Sequence, residues 1–179
     1  MKSYLNKFSL KNKVAFVIGG LGLIGREVSI AFASAGAKTI VLDLLDNKGQ
    51  AFEEEMKKGG YDLVYKHFDC TKVEKLDKSF VKILDQFNCP DIFINCSYPR
   101  TKNWGKSSFK DITLEAYRNH VDIFMNTYAW LARLAAETMV KRKKTGSIIQ
   151  LGSTYGVVGQ DLTLYEGTEM QENMAYAAI

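Results

Sequence analysis

A chain of 179 residues fits one domain and is long enough to bury roughly 70% of its unfolded surface in a single core. At 46% apolar and 25% charged residues it has the composition of a soluble globular protein, not of a disordered or fibrous one. The net charge of +4 is mild, and no nucleic-acid partner is expected from it. The basic run Lys141-Arg142-Lys143-Lys144 would suit nucleic acid, but it also falls where a long helix should end, and cations there complement the helix dipole. Cys70, Cys89 and Cys96 form neither a metal-ligand spacing nor an even disulfide framework, which fits a reducing compartment. No apolar run approaches the ~18 residues of a membrane span, and no signal peptide is visible, so a cytoplasmic location without membrane contact is expected.

In chain order, Val14–Ile18 is a continuous apolar run, as expected of a strand buried on both faces. Ile24, Val28, Ala31, Phe32 and Ala35 recur at helical spacing before Gly36, a natural C-cap. A second strand over 39–42 ends at Asp43. A helix over about 47–58 stops at Gly59-Gly60. A third strand over 63–68 ends at Asp69. Thr71 with Glu74 three residues on predicts a capping box, opening a helix whose apolar face is Leu76, Phe80, Ile83, Leu84 and Phe87. Pro90 prevents its continuation. Ile92-Phe93-Ile94 predicts a fourth strand ending at Asn95, 114–142 a long helix, and 148–151 a fifth strand ending at Gly152-Ser153. The stretches 98–110 and 156–173 read as polar loops.

Alternating strands and helices predict βαβ units: an α/β fold with a doubly wound parallel sheet of about five strands. Ligands bind such sheets at the carboxyl ends of the strands, where Gly19, Asp43, Asp69, Asn95 and Ser153 fall.

Gly19-Gly20-Leu21-Gly22-Leu23-Ile24-Gly25 follows the first strand, with Gly19, Gly22 and Gly25 spaced G-x-x-G-x-x-G. Glycines there allow a tight turn and a close approach of backbone to a pyrophosphate, and the helix opening at Leu23 and Ile24 points N–H groups at it. Asp43 follows Gly25 by roughly 18 residues, at the end of the second strand. A carboxylate in that place accepts hydrogen bonds from ribose hydroxyls and repels a 2′-phosphate, which favours NAD over NADP. A solvated aspartate opening a turn with Asp46 and Asn47 would read the same way in sequence.

These residues resemble the short-chain dehydrogenase/reductase family along essentially the whole chain. The resemblance rests on the glycine loop, Asp43, Asp69 with Cys70 beside it, Asn95-Cys96-Ser97 as a variant of the family's Asn-Asn-Ala-Gly segment, Gly152-Ser153, and Tyr176-Ala177-Ala178-Ile179 as the first four residues of a Tyr-x-x-x-Lys motif. It implies a Rossmann fold, with Asp69 at the adenine and Cys70, Asn95, Cys96 and Ser97 along the cofactor. It implies hydride transfer between NAD and a secondary alcohol or ketone, with Tyr176 as general acid/base and Ser153 holding the substrate oxygen. A tyrosine of pKa near 10 needs positive charge nearby to act as a base at neutral pH, and the family supplies it from a lysine four residues on. The resemblance further implies a homo-oligomer, a dimer or tetramer packed through the long helix.

The sequence departs from the family in four places. The chain ends at Ile179, one residue before the expected lysine, so residues 1–179 read as a single NAD-binding domain that is C-terminally incomplete. The natural protein is expected to continue, and the 179-residue chain alone is expected to lack efficient activity. Phe124 stands where the family has a helix asparagine that holds a relay water. Asn126 is two residues, or about 200°, round the helix and would substitute only through a local distortion. The interval from Ser153 to Tyr176 is long for the family, and its Glu166, Glu169, Gln171 and Asn173 read either as contacts for a hydroxyl-rich ligand or as a solvated loop. Ile18 and Cys96-Ser97 replace common family residues.

Tyr155 and Tyr165 rival Tyr176, although Glu169 four residues after Tyr165 would oppose a phenolate. His67 and His120 have no metal-like partners and read as structural. Trp104 and Trp130 are left without an assigned role. Three functions stay open: an NAD-dependent oxidoreductase of a small molecule, sugar-like by resemblance to enzymes of surface-glycan synthesis; a nucleotide-sugar epimerase or dehydratase with internal NAD; and a dinucleotide-binding module without catalysis.

Overall fold

The computed structural model describes residues 4–102 and 104–179. The first three residues, part of the N-terminus read as lacking a signal peptide, lie outside the described residues, as does Asn103 of the expected 98–110 loop.

Five strands form one parallel sheet: β1 (Val14–Ile18), β2 (Lys38–Asp43), β3 (Leu63–His67), β4 (Ile92–Asn95) and β5 (Ser147–Gln150). Their order is β3-β2-β1-β4-β5, so the chain reverses its direction of travel across the sheet between β1 and β4. Ile18 pairs with both Leu42 and Asn95, Asp43 with His67, and Asn95 with Gln150. This register aligns the carboxyl ends of all five strands along one rim. A crevice at such a switch point is the expected ligand site of a doubly wound sheet.

Helices cover both faces of the sheet because its central strands are apolar on both. On one face, Phe16, Ile18, Ile40, Leu42 and Phe93 pack against Leu76, Phe80 and Ile83 of α3 (Leu76–Phe87) and Leu131, Leu134 and Ala135 of α4 (Leu114–Lys141). Phe80 meets both Phe16 and Phe93 edge-on at 6.2 Å. On the other face, Val41, Leu63 and Tyr65 pack against Ala33 of α1 (Leu23–Ser34) and Phe52 and Met56 of α2 (Asp46–Lys58). β3 and β5 are the edge strands, and Ile148 and Ile149 of β5 stay more than a third exposed.

Several helix ends follow their local chemistry, and one expected cap does not form. α1 closes through Gly36, at φ +98°, where the N–H groups of Gly36 and Ala37 reach back to Ala33 and Phe32. α4 starts on Thr113, whose hydroxyl accepts the Ala116 N–H at 3.1 Å. The exception is the expected capping box at Thr71 and Glu74. Thr71 gives its N–H and its hydroxyl to Asp69 Oδ1, at 2.9 and 2.6 Å, and caps nothing. A short 3-10 turn over Val73–Lys75 intervenes, and α3 begins only at Leu76. Thr71 spends its donors on the Asp69 turn, and the chain then runs through the 3-10 turn, so the backbone is not α-helical at the positions whose N–H groups the Thr71 oxygen would have capped.

The basic run at the end of α4 has a structural use. Lys144 Nζ lies 2.9 Å from Asp91 Oδ2 and donates to the Cys89 carbonyl, while Asp91 also accepts the Val14 N–H. The pair fastens the end of α4 to the starts of β1 and β4.

Candidate active site

The loop after β1 builds the first part of the site. Gly19 has φ +70°, and a Cβ on it would lie 2.6 Å from the Ser97 Cα, so both conformation and space require glycine. A Cβ on Gly25 would lie 2.1 Å from the Gly19 carbonyl oxygen, so α1 packs against the loop only without one. Gly22 is the N-cap of α1 and offers no side-chain cap. Among the described residues nothing accepts the N–H groups of Leu23, Ile24 and Gly25. These are the donors a helix start presents to an anion. A glycine cradle with open donors fits a dinucleotide pyrophosphate.

Asp43 closes the loop from the side. Its Oδ2 accepts the Leu21 N–H at 3.0 Å and its Oδ1 the Leu44 N–H at 2.7 Å. The loop, Asp43, Leu44, Leu45, Phe68, Cys70, Thr71 and the segment 96–100 enclose a cleft of about 510 Å³. Of the residues expected along a cofactor, Gly19, Gly22, Leu23, Ile24, Asp43, Cys70, Cys96 and Ser97 line this cleft. Gly25 lies behind it. Asp69 and Asn95 do not line it: the Asp69 carboxylate is engaged by Thr71, and Asn95 is fully buried, accepting the Ser97 N–H and hydroxyl at 3.0 and 2.7 Å. The Asn95 amide nitrogen has no partner among the described residues.

α4 fixes the strand ends from behind. The Thr127 hydroxyl donates to the Cys70 carbonyl at 2.9 Å and the Tyr128 hydroxyl to the Ser97 carbonyl at 2.8 Å. Burial pushes the Cys70 and Cys96 thiols up to about 11 and, with Cys96 and Cys70 nearby, the Tyr128 phenol up to about 12. None of the three is an activated nucleophile.

A second cavity, about 500 Å³, adjoins the first and shares Ile24, Cys96, Ser97 and Tyr98 with it. Ser153 and Tyr176 both line it. Ser153 follows β5, and its Oγ accepts the Tyr155 N–H at 3.2 Å, which leaves its own proton available for donation. Tyr176 lies on the short helix α5 (Met174–Ala178), where Asn173 caps the Tyr176 N–H at 2.9 Å. Tyr155 and Tyr165 also line the cavity. Burial, Tyr155 and Glu172 all raise the Tyr165 phenol, so its surroundings disfavour a phenolate.

Phe124 is buried and lines the cavity, whereas Asn126 is exposed and bonds Asp122. α4 is continuous through both, without the distortion that would exchange them. Gln171 and Asn173 line the cavity. Glu166 and Glu169 stay exposed outside it. The supposed loop 156–173 carries a 3-10 turn over Leu162–Tyr165 and is tied to the segment after β4: Ser108 donates to Glu172 at 2.6 Å, Gln171 to the Gly105 carbonyl at 2.9 Å, and the Met174 N–H to the Ser107 carbonyl at 2.9 Å.

Tyr98 is the site residue that sequence reasoning missed. Its ring packs edge-on against Trp104 at 4.7 Å, Phe124 at 4.8 Å and Tyr176 at 5.7 Å. Trp104 in turn covers the buried His120, which holds the Thr101 hydroxyl at 3.0 Å and whose protonation is disfavoured by burial. His120 is therefore a structural anchor of this loop. Among the described residues no cluster of His, Cys, Asp and Glu could hold a metal ion, and no helix is long and apolar enough to cross a membrane.

Comparison with known proteins agrees with this architecture. Post-translational flagellin modification protein A of Campylobacter coli is 28% identical over 174 residues, covering 95% of this chain and 66% of that protein. (+)-Borneol dehydrogenase 2 of Salvia officinalis is 30% identical, covering 84% and 52%, and D-xylose 1-dehydrogenase of Caulobacter vibrioides 28% identical, covering 88% and 60%. The chain thus spans between about half and two thirds of the length of these relatives. The crystal structure of gox2181 superposes with a TM-score of 0.82 at 26% identity, over 98% of this chain and 64% of that one. A gluconate 5-dehydrogenase from Burkholderia cenocepacia, solved with NADP and tartrate, superposes with a TM-score of 0.80 at 17% identity, over 98% and 63%. The short chain dehydrogenase family model matches residues 13–167, and the chain belongs to that family.

Proposed function

We propose that this chain is the dinucleotide-binding part of an oxidoreductase that moves a hydride between NAD and a secondary alcohol or ketone. The observation that carries this reading is that Ser153 and Tyr176 line one cavity, and that this cavity shares Ile24, Cys96, Ser97 and Tyr98 with the cleft of the glycine loop. NAD, when bound, would take up or release the hydride at its nicotinamide ring. The Leu23–Gly25 donors would hold its pyrophosphate and Asp43 its ribose. Ser153 would donate its free proton to the substrate oxygen. Tyr176 would take the carbinol O–H proton as the hydride leaves the carbon that bears that oxygen, or return it in the reverse direction. The positive charge a Tyr176 phenolate needs would come from the lysine that the family motif places four residues later.

NAD is preferred to NADP in this reading because the Asp43 carboxylate sits in the cleft and would repel a 2′-phosphate. A sugar-like or otherwise ring-shaped alcohol suits a cavity walled by Tyr98, Phe124, Tyr155 and Tyr176, whose faces stack on C–H surfaces. The relatives named for xylose and borneol act on alcohols of that kind. We assign the protein to the cytoplasm, on its three free cysteines, and to a homo-oligomer through α4, where Trp130 is partly exposed.

Replacing Tyr176 by Phe in the full-length protein, with NADH formation followed across a panel of secondary alcohols, tests the reading. A loss of about a thousandfold in turnover with unchanged NAD affinity is expected; unchanged turnover would overturn it. Phe124 favours one second reading, a dinucleotide-binding module without catalysis, because it puts a ring where the family holds a relay water. NAD binding without turnover of any alcohol on the panel would select that reading.

A further inference from the structure

The cleft holds a cation that the family pattern does not assign. Its lining includes two charged side chains among the described residues, Asp43 and Arg100. Asp43 is already engaged by the Leu21 and Leu44 N–H groups. Arg100 is exposed and pairs with no carboxylate among the described residues, unlike Arg26 and Arg133, which pair with Glu55 and Glu137. An arginine without a partner retains five donors in a planar fork suited to phosphate oxygens.

Its placement narrows the ligand. One wall of the cleft is the glycine loop and the start of α1, with the open N–H groups of Leu23 and Ile24. The other wall is the segment Cys96–Arg100, which leaves the end of β4 on the far side of the switch point. Two features of that segment hold its backbone in place. Its start is fixed to α4 by the Tyr128 bond to the Ser97 carbonyl, and Pro99, immediately before Arg100, is buried. Arg100 therefore lines, from an anchored base, a cleft whose glycine-loop wall presents N–H donors without acceptors.

We propose that Arg100 closes over the pyrophosphate of the bound dinucleotide from the side opposite the glycine loop, making a two-sided phosphate clamp. This rests on the dinucleotide reading of the cleft. The Leu23–Gly25 amides supply fixed neutral donors, and Arg100 supplies the charge that helix start lacks, since the first turn of α1 carries no basic residue before Arg26 and Arg26 is taken by Glu55.

Titration calorimetry on the full-length protein tests it, with NAD, NADP, ADP and adenosine as probes against the native protein, Arg100→Ala and Arg100→Lys. Arg100→Ala is expected to weaken NAD, NADP and ADP alike by about tenfold, to leave adenosine unchanged, and to flatten the salt dependence of NAD affinity. Arg100→Lys is expected to recover part of the loss, because it restores charge but not the fork. Equal NAD affinity in all three proteins would overturn the clamp while leaving the dinucleotide reading intact. Loss confined to NADP would overturn it in favour of contact with the 2′-phosphate. Failure of the native protein to bind any of the dinucleotides would overturn the underlying reading itself. Unchanged melting temperatures of the variants exclude a folding defect as the cause of weaker binding.

Discussion

The carboxylate of Asp43 accepts the backbone N–H of Leu21 at 3.0 Å, so the acid at the end of β2 and the glycine loop after β1 form one unit. Asp43 thus braces the loop with part of its acceptor capacity, and in the proposed reading the rest serves the ribose. An ionised carboxylate has about four lone-pair sites, and the Leu21 and Leu44 amides use two. The two functions separate by substitution. Asp43→Asn keeps an acceptor for Leu21 but removes the charge, and it is expected to cut the preference for NAD over NADP about tenfold while retaining the melting temperature. Asp43→Ala removes both and is expected to lower stability by about 1 kcal/mol as well, a loose-end cost for one backbone N–H. Parallel NAD and NADP titrations with a melting curve on each variant check both parts.

Phe124 is the clearest packing prediction at the site. It is buried, and its ring meets Tyr98 at 4.8 Å and Trp104 at 6.2 Å. Phe124→Ala is expected to cost about 3–4 kcal/mol, the usual range for emptying an aromatic position. Phe124→Asn places the family's amide there but strands it against aromatic rings, so it is expected to destabilise at least as much. Urea unfolding of the two variants decides; an Asn variant as stable as the native protein would show that a water or polar partner reaches this point.

Why the sheet was legible and part of the site was not follows from the same residues. Val14–Ile18 and the Ile40–Leu42 centre of β2 are continuous apolar runs buried in the sheet, so strand and burial could be read from the run, and the parallel class from the alternation with helices. Gly19 and Asp43 carry their chemistry in their identity and spacing. Tyr98 carries no such signal: it opens a polar stretch, and its importance comes from contacts with Trp104, Phe124 and Tyr176, up to 78 positions away. Thr71 and Glu74 spell a capping box, but Thr71 sits in a turn closed on Asp69 and α3 begins only at Leu76, too far along for Thr71 to cap it. Sequence spacing records which bonds are possible; the path of the backbone decides which form.

The thiols give a reactivity test that needs no substrate. Cys96 is partly exposed and lines both cavities, while burial pushes its thiol up to about 11. At pH 7.5 the thiolate is scarce, so alkylation by iodoacetamide is expected to be slower than for a free cysteine by roughly a hundredfold and to accelerate as pH rises. Saturating NAD is expected to protect Cys96 further. Mass spectrometry of peptide-resolved labelling, with and without NAD, checks both; labelling unaffected by NAD would place the dinucleotide elsewhere.

Asp91 links stability to pH. Burial alone would raise its carboxyl, but the Val14 N–H, Lys144 and Lys13 outweigh that and hold it below the ordinary carboxylate value. A carboxyl lowered in the folded state binds its proton more readily when unfolded. Its stabilisation is therefore full above the unfolded value and is lost as pH falls through the folded one. The natural protein is expected to lose part of its stability below about pH 4, and Asp91→Asn to lose about 1–3 kcal/mol at pH 7 with a flatter acid limb, because the amide keeps a bond to Val14 but not the attraction of Lys144. Lys144→Met separates the two partners: it removes the ion pair and the bond to the Cys89 carbonyl, so it should reproduce part of the loss at pH 7 while leaving the Val14–Asp91 bond. Urea melts of the three proteins between pH 3 and pH 8 measure this, and an acid limb unchanged by Asp91→Asn would show that other carboxylates govern it.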